Sequence, residues 1–254
     1  QMDALGPDFL REGFARLGFT IPPLLGAARD GAFYRRDGGG WSHLTDAGSY
    51  VPVPPVPGQI ALDTVRLHTD AIVESSGDAN LLDIGDGVLL LEARTKMNVM
   101  GAGVLSMIRT ALERVEKGKF VGLVLGNDDP RAYSAGADLA AVVAQVQAND
   151  WKGLDEMVRY FQQGAQLVRR APFPVVAAPF GLTLGGGCEY ALHCDRIQAH
   201  AELYIGLVEA GVGLIPAGGG TKELLFRFTE QLAPYDEADP FEAVKRAFKT
   251  IAMA

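Results

Sequence analysis

The sequence predicts an α/β domain, with helices covering strands, in the larger C-terminal part of the chain. Three observations carry this prediction. Short apolar runs at residues 121–125 and 175–178 have the composition of strands that are buried on both faces. Longer segments beside them place apolar residues at helical spacing. The two kinds of segment alternate along the chain, which is typical of a layered α/β fold with right-handed crossovers.

Composition limits the partners that we expect. The chain has 254 residues, of which 48% are hydrophobic, enough for one sizeable domain and an appendage. It carries 23 Lys and Arg against 31 Asp and Glu, a formal net charge of -8. With no basic stripe, we expect no nucleic-acid partner. No apolar run approaches the roughly 20 residues of a membrane-spanning helix, and we expect a soluble, cytoplasmic protein without a signal peptide.

The N-terminal residues predict a small separate unit. Residues 7–30 have a helix-like pattern that a Pro-Pro pair interrupts, and residues 33–41 are typical of a short hairpin rich in turns. Four prolines in residues 51–58 favour a stiff, extended linker. We therefore divide the chain into residues 1–50, a linker and lead-in at 51–78, and the α/β domain at 79–254. We expect the whole to be a slice of a longer polypeptide.

A hairpin and a helix open the α/β domain. Residues 80–84 and 88–92 flank a Gly-Asp-Gly turn, a strong hairpin signal. The helix begins near Gly103, because the residues that follow it repeat an apolar face at helical spacing, namely Val104, Ile108, Ala111 and Val115.

A second helix and two glycine-rich turns follow. The helix is predicted around residues 154–168 and ends before Pro172. The three glycines at 185–187 then open another helix, whose first turn contains Glu189. Such a helix start has free N–H donors and the positive end of the helix dipole. Donors beside a titratable acid suit an enzyme that stabilises an enolate.

Two other segments each allow two interpretations. Residues 133–139 form either a turn into a helix capped by Asp138 or a loop whose Ala137 N–H is a second oxyanion donor. Glu209 lies in a long glycine-rich segment, residues 205–221. It is either solvated or a proton-transfer group whose pKa is raised by its apolar neighbours.

Other motifs indicate no cofactor site in this chain. The Gly-Ala-Gly sequence at 101–103 lacks the third glycine of a dinucleotide fingerprint, so we expect an ordinary helix start. Cys188 and Cys194 form neither a disulfide framework nor a zinc spacing, and we expect both to be small buried hydrophobes. The four histidines fit no metal-binding motif, so we expect no metal.

Three motifs in this order resemble the signatures of the crotonase (enoyl-CoA hydratase/isomerase) superfamily, namely residues 134–139, 184–189 and 206–219. The resemblance covers about 79–227 and implies a core built as a spiral of ββα repeats. By position, Ala137 and Gly186 match the two oxyanion-hole amides of that family. Glu189 and Glu209 match the paired catalytic glutamates of its hydratases. The resemblance also implies a set of substrate-binding residues: Ala135, Asp138, Leu139, Gly185, Pro216 and Gly218.

The N-terminal segment adds a second resemblance. Residues 21–38 are similar to the closing helix and hairpin of the dehydrogenase part of bacterial multifunctional 3-hydroxyacyl-CoA dehydrogenases, which carry a hydratase domain at the C-terminal end. This implies that residues 1–50 are the remnant of a dehydrogenase domain. NAD would then bind only to the part of the protein outside this chain, and a CoA thioester would be this chain's substrate. The full-length protein is expected to be an oligomer.

Taken together, the residues and the resemblance favour hydration of a trans-2-enoyl-CoA to a 3-hydroxyacyl-CoA in fatty-acid β-oxidation. An enoyl-CoA isomerase of the same superfamily remains an alternative, since it can transfer a proton with a single glutamate. A non-catalytic module that binds acyl-CoA is the alternative from another class.

Overall fold

The chain forms two units, Gln1–Thr69 and Asp70–Ala254. The structure is a computed structural model that describes residues 2–28, 32–37, 40–54, 56–234, 237 and 239–252. The division between the units falls within the segment 51–78 that the sequence marks as a linker and lead-in. Within the described ranges, no helix combines the length and the apolar character needed to cross a membrane.

The first unit is a set of short helices with one antiparallel sheet of order β1-β2-β3. Its core contains Leu25, Ala28, Phe33 and Leu44. Its elements are α1 Met2–Leu5, α2 Pro7–Arg16, α3 Pro23–Ala27, β1 Tyr34–Asp37, β2 Gly40–Leu44, β3 Tyr50–Pro52 and α4 Leu62–Val65.

The predicted hairpin corresponds to β1 and β2, and its residues 38 and 39 lie outside the described residues. The prediction of a free extended linker is wrong for its first two residues. Val51 and Pro52 pair with β2 in strand β3. Proline is tolerated there because β3 is an edge strand, on which a missing N–H breaks no ladder.

The second unit contains a six-stranded sheet, β11-β9-β7-β6-β5-β4, and a three-stranded sheet, β12-β10-β8. The predicted strands and helices of this part all occur, with ends that differ by a few residues. The elements are β4 Ile72–Ser75, β5 Ala79–Asp83, β6 Val88–Ala93, α5 Ala102–Glu116, β7 Gly122–Gly126, β8 Ala132–Ser134, α6 Leu139–Gln147, α7 Trp151–Arg169, β9 Val175–Ala177, β10 Leu182–Leu184, α8 Gly186–His193, β11 Arg196–Ile197, β12 Tyr204–Gly206, α9 Gly220–Leu232 and α10 Phe241–Ala252.

From β7 onward the chain advances as a spiral of ββα repeats. Each repeat adds one strand to the large sheet, then one strand to the small sheet, and then turns into helix. Thus β9 pairs in parallel with β7, and β10 pairs in parallel with β8. The third repeat continues both sheets, with β11 on β9 and β12 on β10. The crotonase-like architecture implied by the resemblance is therefore confirmed.

This spiral decides where a site can form. The strands of the small sheet are parallel, so the loops that follow β8, β10 and β12 leave from the same edge. The three motifs singled out in the sequence are those three loops. They are separated by tens of residues in the chain and are neighbours in the fold.

A single apolar core supports this edge. The four residues predicted to form the inner face of α5 are all buried, with Val104, Ile108 and Ala111 fully enclosed. They pack with Leu89 and Leu123 of the large sheet in one cluster. Burial of a leucine-sized side chain contributes about 1.5–3 kcal/mol, so this cluster holds the sheet rigidly beneath the site.

Candidate active site

The loop after β8 presents a free main-chain amide. Gly136 has a φ of 100°, a left-handed conformation that only glycine adopts without strain. Asp138 caps α6, because its Oδ1 accepts a hydrogen bond of 3.1 Å from the Ala141 N–H. The capping interpretation of this segment is therefore confirmed. It does not exclude the other interpretation, since the Ala137 N–H donates to no described residue.

The second amide lies at the start of α8. Gly185 turns the chain with a φ of 50°, and α8 begins at Gly186, as predicted. The N–H of Gly186 is in the first turn, so the helix itself offers it no acceptor. A Cβ atom placed on Gly186 would lie 3.2 Å from the Ala137 nitrogen. The two amides are therefore adjacent and belong to one donor pair.

Glu189 lies under this pair and is buried, with 3% of its surface exposed. Its Oε1 accepts a 2.9 Å hydrogen bond from the Gly220 N–H at the beginning of α9. Burial is the main cause that raises the pKa of Glu189, and the nearby Glu209 charge raises it further, whereas the Gly220 amide lowers it. The carboxylate is thus desolvated but held by a helix N-terminus, a position that suits a base.

Glu209 begins a short 3₁₀ turn, Glu209–Val212, after β12. Its Oε2 is buried and accepts no hydrogen bond from any described residue. Burial raises the pKa of this carboxyl group. A Cβ atom on Gly185 would lie 3.1 Å from Glu209 Oε1, so the carboxyl group faces the triglycine turn. Of the two interpretations of Glu209, these contacts favour a proton-transfer group over a solvated side chain.

Phe161 of α7 closes this space on one side, and the sequence offered no sign of it beyond an apolar helical position. Its ring lies between two glycines. A Cβ atom on Gly186 would lie 2.8 Å from Phe161 Cζ, and one on Gly218 would overlap both Phe161 Cε1 and Glu189 Oε2. These contacts place Glu189 on the helix that begins with the Gly186 amide, Glu209 against the turn before it, and the Ala137 amide beside it.

The remaining predicted residues surround this space less directly. Ala135 is tied to a neighbouring loop through its N–H, and the Asp138 carboxylate is used in the helix cap. Leu139 is exposed at the start of α6. Pro216 is half-buried in the glycine-rich segment before α9. For these residues a role in substrate binding stays a prediction.

A loop that the sequence analysis missed holds the first amide in place. The Met97 carbonyl accepts the Ala135 N–H at 2.9 Å, and the Met100 N–H donates to the Gly136 carbonyl at 2.8 Å. The buried Asn98 side chain donates to the Ala132 carbonyl at 2.8 Å. Met97 and Asn98 both have a positive φ, 58° and 52°. Non-glycine residues held in this strained conformation often mark a functional constraint, here on the Ala137 amide.

This loop yields a prediction for Asn98→Gly. Glycine accepts the positive φ without strain, so the change removes the buried amide side chain together with its hydrogen bond to Ala132. We expect kcat in the assay proposed below to fall about tenfold, because the amide donor loses part of its support. Met97→Gly is the matched control, since it relaxes the same strain but keeps the carbonyl that Ala135 needs. Equal kcat values in the two variants would contradict the prediction.

The other motifs singled out in the sequence have local structural explanations. At the start of α5, Gly103 leaves room for the Asp78 carboxylate, which a Cβ atom there would overlap. Helix α5 begins at Ala102, so the expected helix start is confirmed. Cys188 and Cys194 are buried free thiols, and burial raises the pKa of Cys188 to about 12. Among the described residues, no group of three or more His, Cys, Asp or Glu could hold a metal ion.

The chain is similar to known proteins of one family. The family described as enoyl-CoA hydratase/isomerase matches residues 85–235. A Bacillus subtilis protein named "Probable 3-hydroxyacyl-CoA dehydrogenase" is 38% identical over 99% of this chain, which spans 31% of that protein's length. The fatty acid oxidation complex subunit alpha of Vibrio cholerae is 36% identical over 51% of this chain and 18% of its own length.

Solved structures of enoyl-CoA hydratases are similar to this chain in fold. Enoyl-CoA hydratase from Bacillus anthracis is similar with a TM-score of 0.57 and 25% identity, over 68% of this chain and 62% of that one. A subunit described as enoyl-CoA hydratase from Geobacillus kaustophilus is similar with a TM-score of 0.55 and 27% identity, over 69% of this chain and 61% of its own.

Proposed function

This chain belongs to the enoyl-CoA hydratase/isomerase family, and we propose that it hydrates trans-2-enoyl-CoA to 3-hydroxyacyl-CoA in fatty-acid β-oxidation. One observation supports the proposal: two carboxyl groups whose pKa is raised by burial both lie next to the triglycine turn, which holds one of two adjacent free amides. An isomerase can work with a single glutamate, whereas the addition of water uses a base for the water and an acid for the α-carbon.

The amides of Ala137 and Gly186 would bind the thioester oxygen. Two N–H donors at about 2.7–3.1 Å stabilise the negative charge that develops there as an enolate forms. The same donors withdraw electrons from the β-carbon of the enoyl group and so make it open to attack by water. Hydrogen bonds to Met97 and Met100 hold the loop that carries the Ala137 amide, and the Gly186 amide belongs to a helix, so both donors are oriented before the reaction.

The glutamates would divide the proton transfers. The Gly220 amide favours the ionised form of Glu189, which would take a proton from water as the water oxygen bonds to the β-carbon. Glu209, whose Oε2 has no partner among the described residues, donates a proton to the α-carbon. The product gains one oxygen and two hydrogens, which is one water molecule. Proton exchange with solvent then restores both carboxyl groups.

The relatives extend the proposal beyond this chain. The name of the Bacillus subtilis relative and the resemblance of residues 21–38 support a longer, multifunctional protein that also carries a 3-hydroxyacyl-CoA dehydrogenase. In such a protein the hydratase product is the dehydrogenase substrate, and NAD would bind to the dehydrogenase part. We further propose that the full-length protein is a cytoplasmic oligomer.

The test is an assay of the purified chain with crotonyl-CoA in water enriched in oxygen-18. We expect loss of the enoyl absorbance and a 3-hydroxyacyl product that carries the label. A 3-enoyl-CoA supplied in parallel measures double-bond migration, and faster migration than hydration would favour the isomerase. Calorimetric binding of acyl-CoA without turnover of either substrate would favour the non-catalytic module and overturn the proposal.

The unfolding temperature should depend on pH, because the pKa of Glu189 and that of Glu209 are both raised in the folded protein. A carboxyl group whose pKa is higher in the folded than in the unfolded protein stabilises the fold below its unfolded pKa, about 4.3 for glutamate. That contribution is lost as the pH rises through the folded pKa. Glu209→Gln cannot ionise, so we expect it to unfold at a higher temperature than the wild type at about pH 8.

The advantage of Glu209→Gln should vanish towards about pH 4, where the wild-type carboxyl group is protonated too. Thermal unfolding followed by circular dichroism at both pH values measures it. An equal difference between the two proteins at both pH values would contradict a raised pKa of Glu209.

A further inference from the structure

A second buried carboxylate lies behind the site, and the proposed mechanism does not use it. Glu223, in the first turn of α9, has 1% of its surface exposed. Its Oε1 accepts a 2.9 Å hydrogen bond from Arg169 Nε on α7, and its Oε2 accepts one of 2.9 Å from Lys222 Nζ. Arg227 Nε lies 3.8 Å from Oε1. Burial opposes ionisation, but Lys222 and Arg169 together lower the pKa of Glu223.

The fully buried His193 joins this cluster to the catalytic helix. Its Nδ1 lies 2.7 Å from the Glu189 carbonyl oxygen, so Nδ1 carries the proton and donates. Its Nε2 then faces Lys222 Nζ at 3.4 Å and Glu223 Oε2 at 3.9 Å. Burial lowers the pKa of His193 and keeps the ring neutral. A neutral ring accepts from Lys222, whereas a charged ring would add another cation to the cluster.

The cluster fixes α9 against α8 along its length. Gly220, the first residue of α9, donates to the Glu189 carboxylate. Two turns further, Arg227 donates to the carbonyl oxygens of Leu192 and Cys194, which end α8 and have no helical partner. Glu223 lies between these two attachments and neutralises the cations around it. Its charge therefore decides how α9 sits on the helix that carries Glu189.

We propose that Glu223 is a positioning residue: it fixes the beginning of α9 and thereby the Gly220 amide that orients the Glu189 carboxylate. The inference rests on the proposed hydration for its kinetic consequence only. Without the Glu223 charge, Arg169, Lys222 and Arg227 repel one another, and the start of α9 moves away from Glu189. The base then loses its hydrogen bond and is protonated at higher pH.

The test compares Glu223→Gln with Glu230→Gln in the 254-residue chain. Glu230 is on the same helix and 3.6 Å from Arg169, but its side chain is 63% exposed, so it is a matched control for the loss of one charge. For Glu223→Gln we expect kcat on crotonyl-CoA to fall about 10²-fold, because small displacements of a reacting group have effects of this size. The acidic limb of the kcat profile should move to higher pH. Glu223→Asp, which keeps the charge, should recover part of both.

The chemical shift of the Gly220 amide proton tests the proposal without an enzyme assay. In nitrogen-15 NMR spectra its shift should follow the ionisation of Glu189 in the wild type and in Glu230→Gln. In Glu223→Gln that pH dependence should shrink. A wild type without hydratase activity would overturn the proposed function and leave this test intact.

The positioning role would be overturned if Glu223→Gln only unfolded at a lower temperature, while its kcat profile and its Gly220 titration equalled those of Glu230→Gln. If Glu223→Gln does not fold, Glu223→Asp decides alone. A reduced kcat and a smaller Gly220 titration are expected in the folded Asp variant, and wild-type values of both would overturn the proposal.

Discussion

Glu189→Gln is expected to lower kcat for crotonyl-CoA hydration by about 10²–10⁴, the usual contribution of a general acid or base. The amide oxygen of glutamine can still accept the Gly220 hydrogen bond, so the position of the side chain is kept and only its basicity is lost. Glu209→Gln should have an effect of similar size, because the proton for the α-carbon would have no source. KM should change much less than kcat in both variants, since neither carboxyl group is assigned to binding.

The measurement is steady-state kinetics with crotonyl-CoA, with circular dichroism to establish that each variant is folded. Glu202→Gln is a suitable control, because Glu202 is exposed and lies between Glu189 and Glu209 in the sequence. Near-normal turnover in either catalytic variant would contradict the assignment of the pair. Loss confined to Glu209→Gln, with double-bond migration retained in Glu189→Gln, would point to an isomerase.

Gly218→Ala is expected to lower kcat/KM by about 10²-fold or more, although the change adds one methyl group. The new Cβ atom would overlap Glu189 Oε2 and Phe161 Cε1 and lie 2.8 Å from Glu189 Cδ. Neither side chain can retreat easily, because both are buried. The base is therefore displaced from the water, and overpacking should also lower stability by about 1–3 kcal/mol.

Gly211→Ala is the matched control in the same glycine-rich segment. A Cβ atom on Gly211 meets nothing within 4 Å, and its φ is not in the left-handed region. We expect wild-type kinetics and stability within about 0.5 kcal/mol for this variant. Adding Phe161→Leu to Gly218→Ala should restore part of the activity by making room. Equal activity of the two alanine variants would contradict the close packing around Gly218, which Gly211 lacks.

Much of the fold follows from local pattern. The apolar residues at helical spacing from Val104 to Val115 form the inner face of α5, and the Gly-Asp-Gly sequence joins β5 to β6. The prediction failed at Val51 and Pro52. Proline suggested an extended linker there, but pairing with β2 includes both residues in an edge strand. Strand pairing depends on a partner elsewhere in the chain, which local composition does not describe.

The sequence by itself determined the components of the candidate site. Glycines at 136 and 185 permit the turns that expose the Ala137 and Gly186 amides. The two candidate acids, Glu189 and Glu209, could be identified directly in the sequence. These properties depend on neighbouring residues in the chain, because backbone freedom, helix starts and side-chain charge are local.

Only the tertiary structure decided how those components are held. Gly220 binds Glu189 across 31 residues of sequence, and Arg169 pairs with Glu223 across 54. Phe161, Asn98 and Glu223 gain their roles mainly from contacts with residues far away in the chain, although Lys222, the neighbour of Glu223, also donates to its carboxylate. The spiral of parallel strands brings these distant residues together, and close packing then restricts the buried side chains of Glu189 and Glu223.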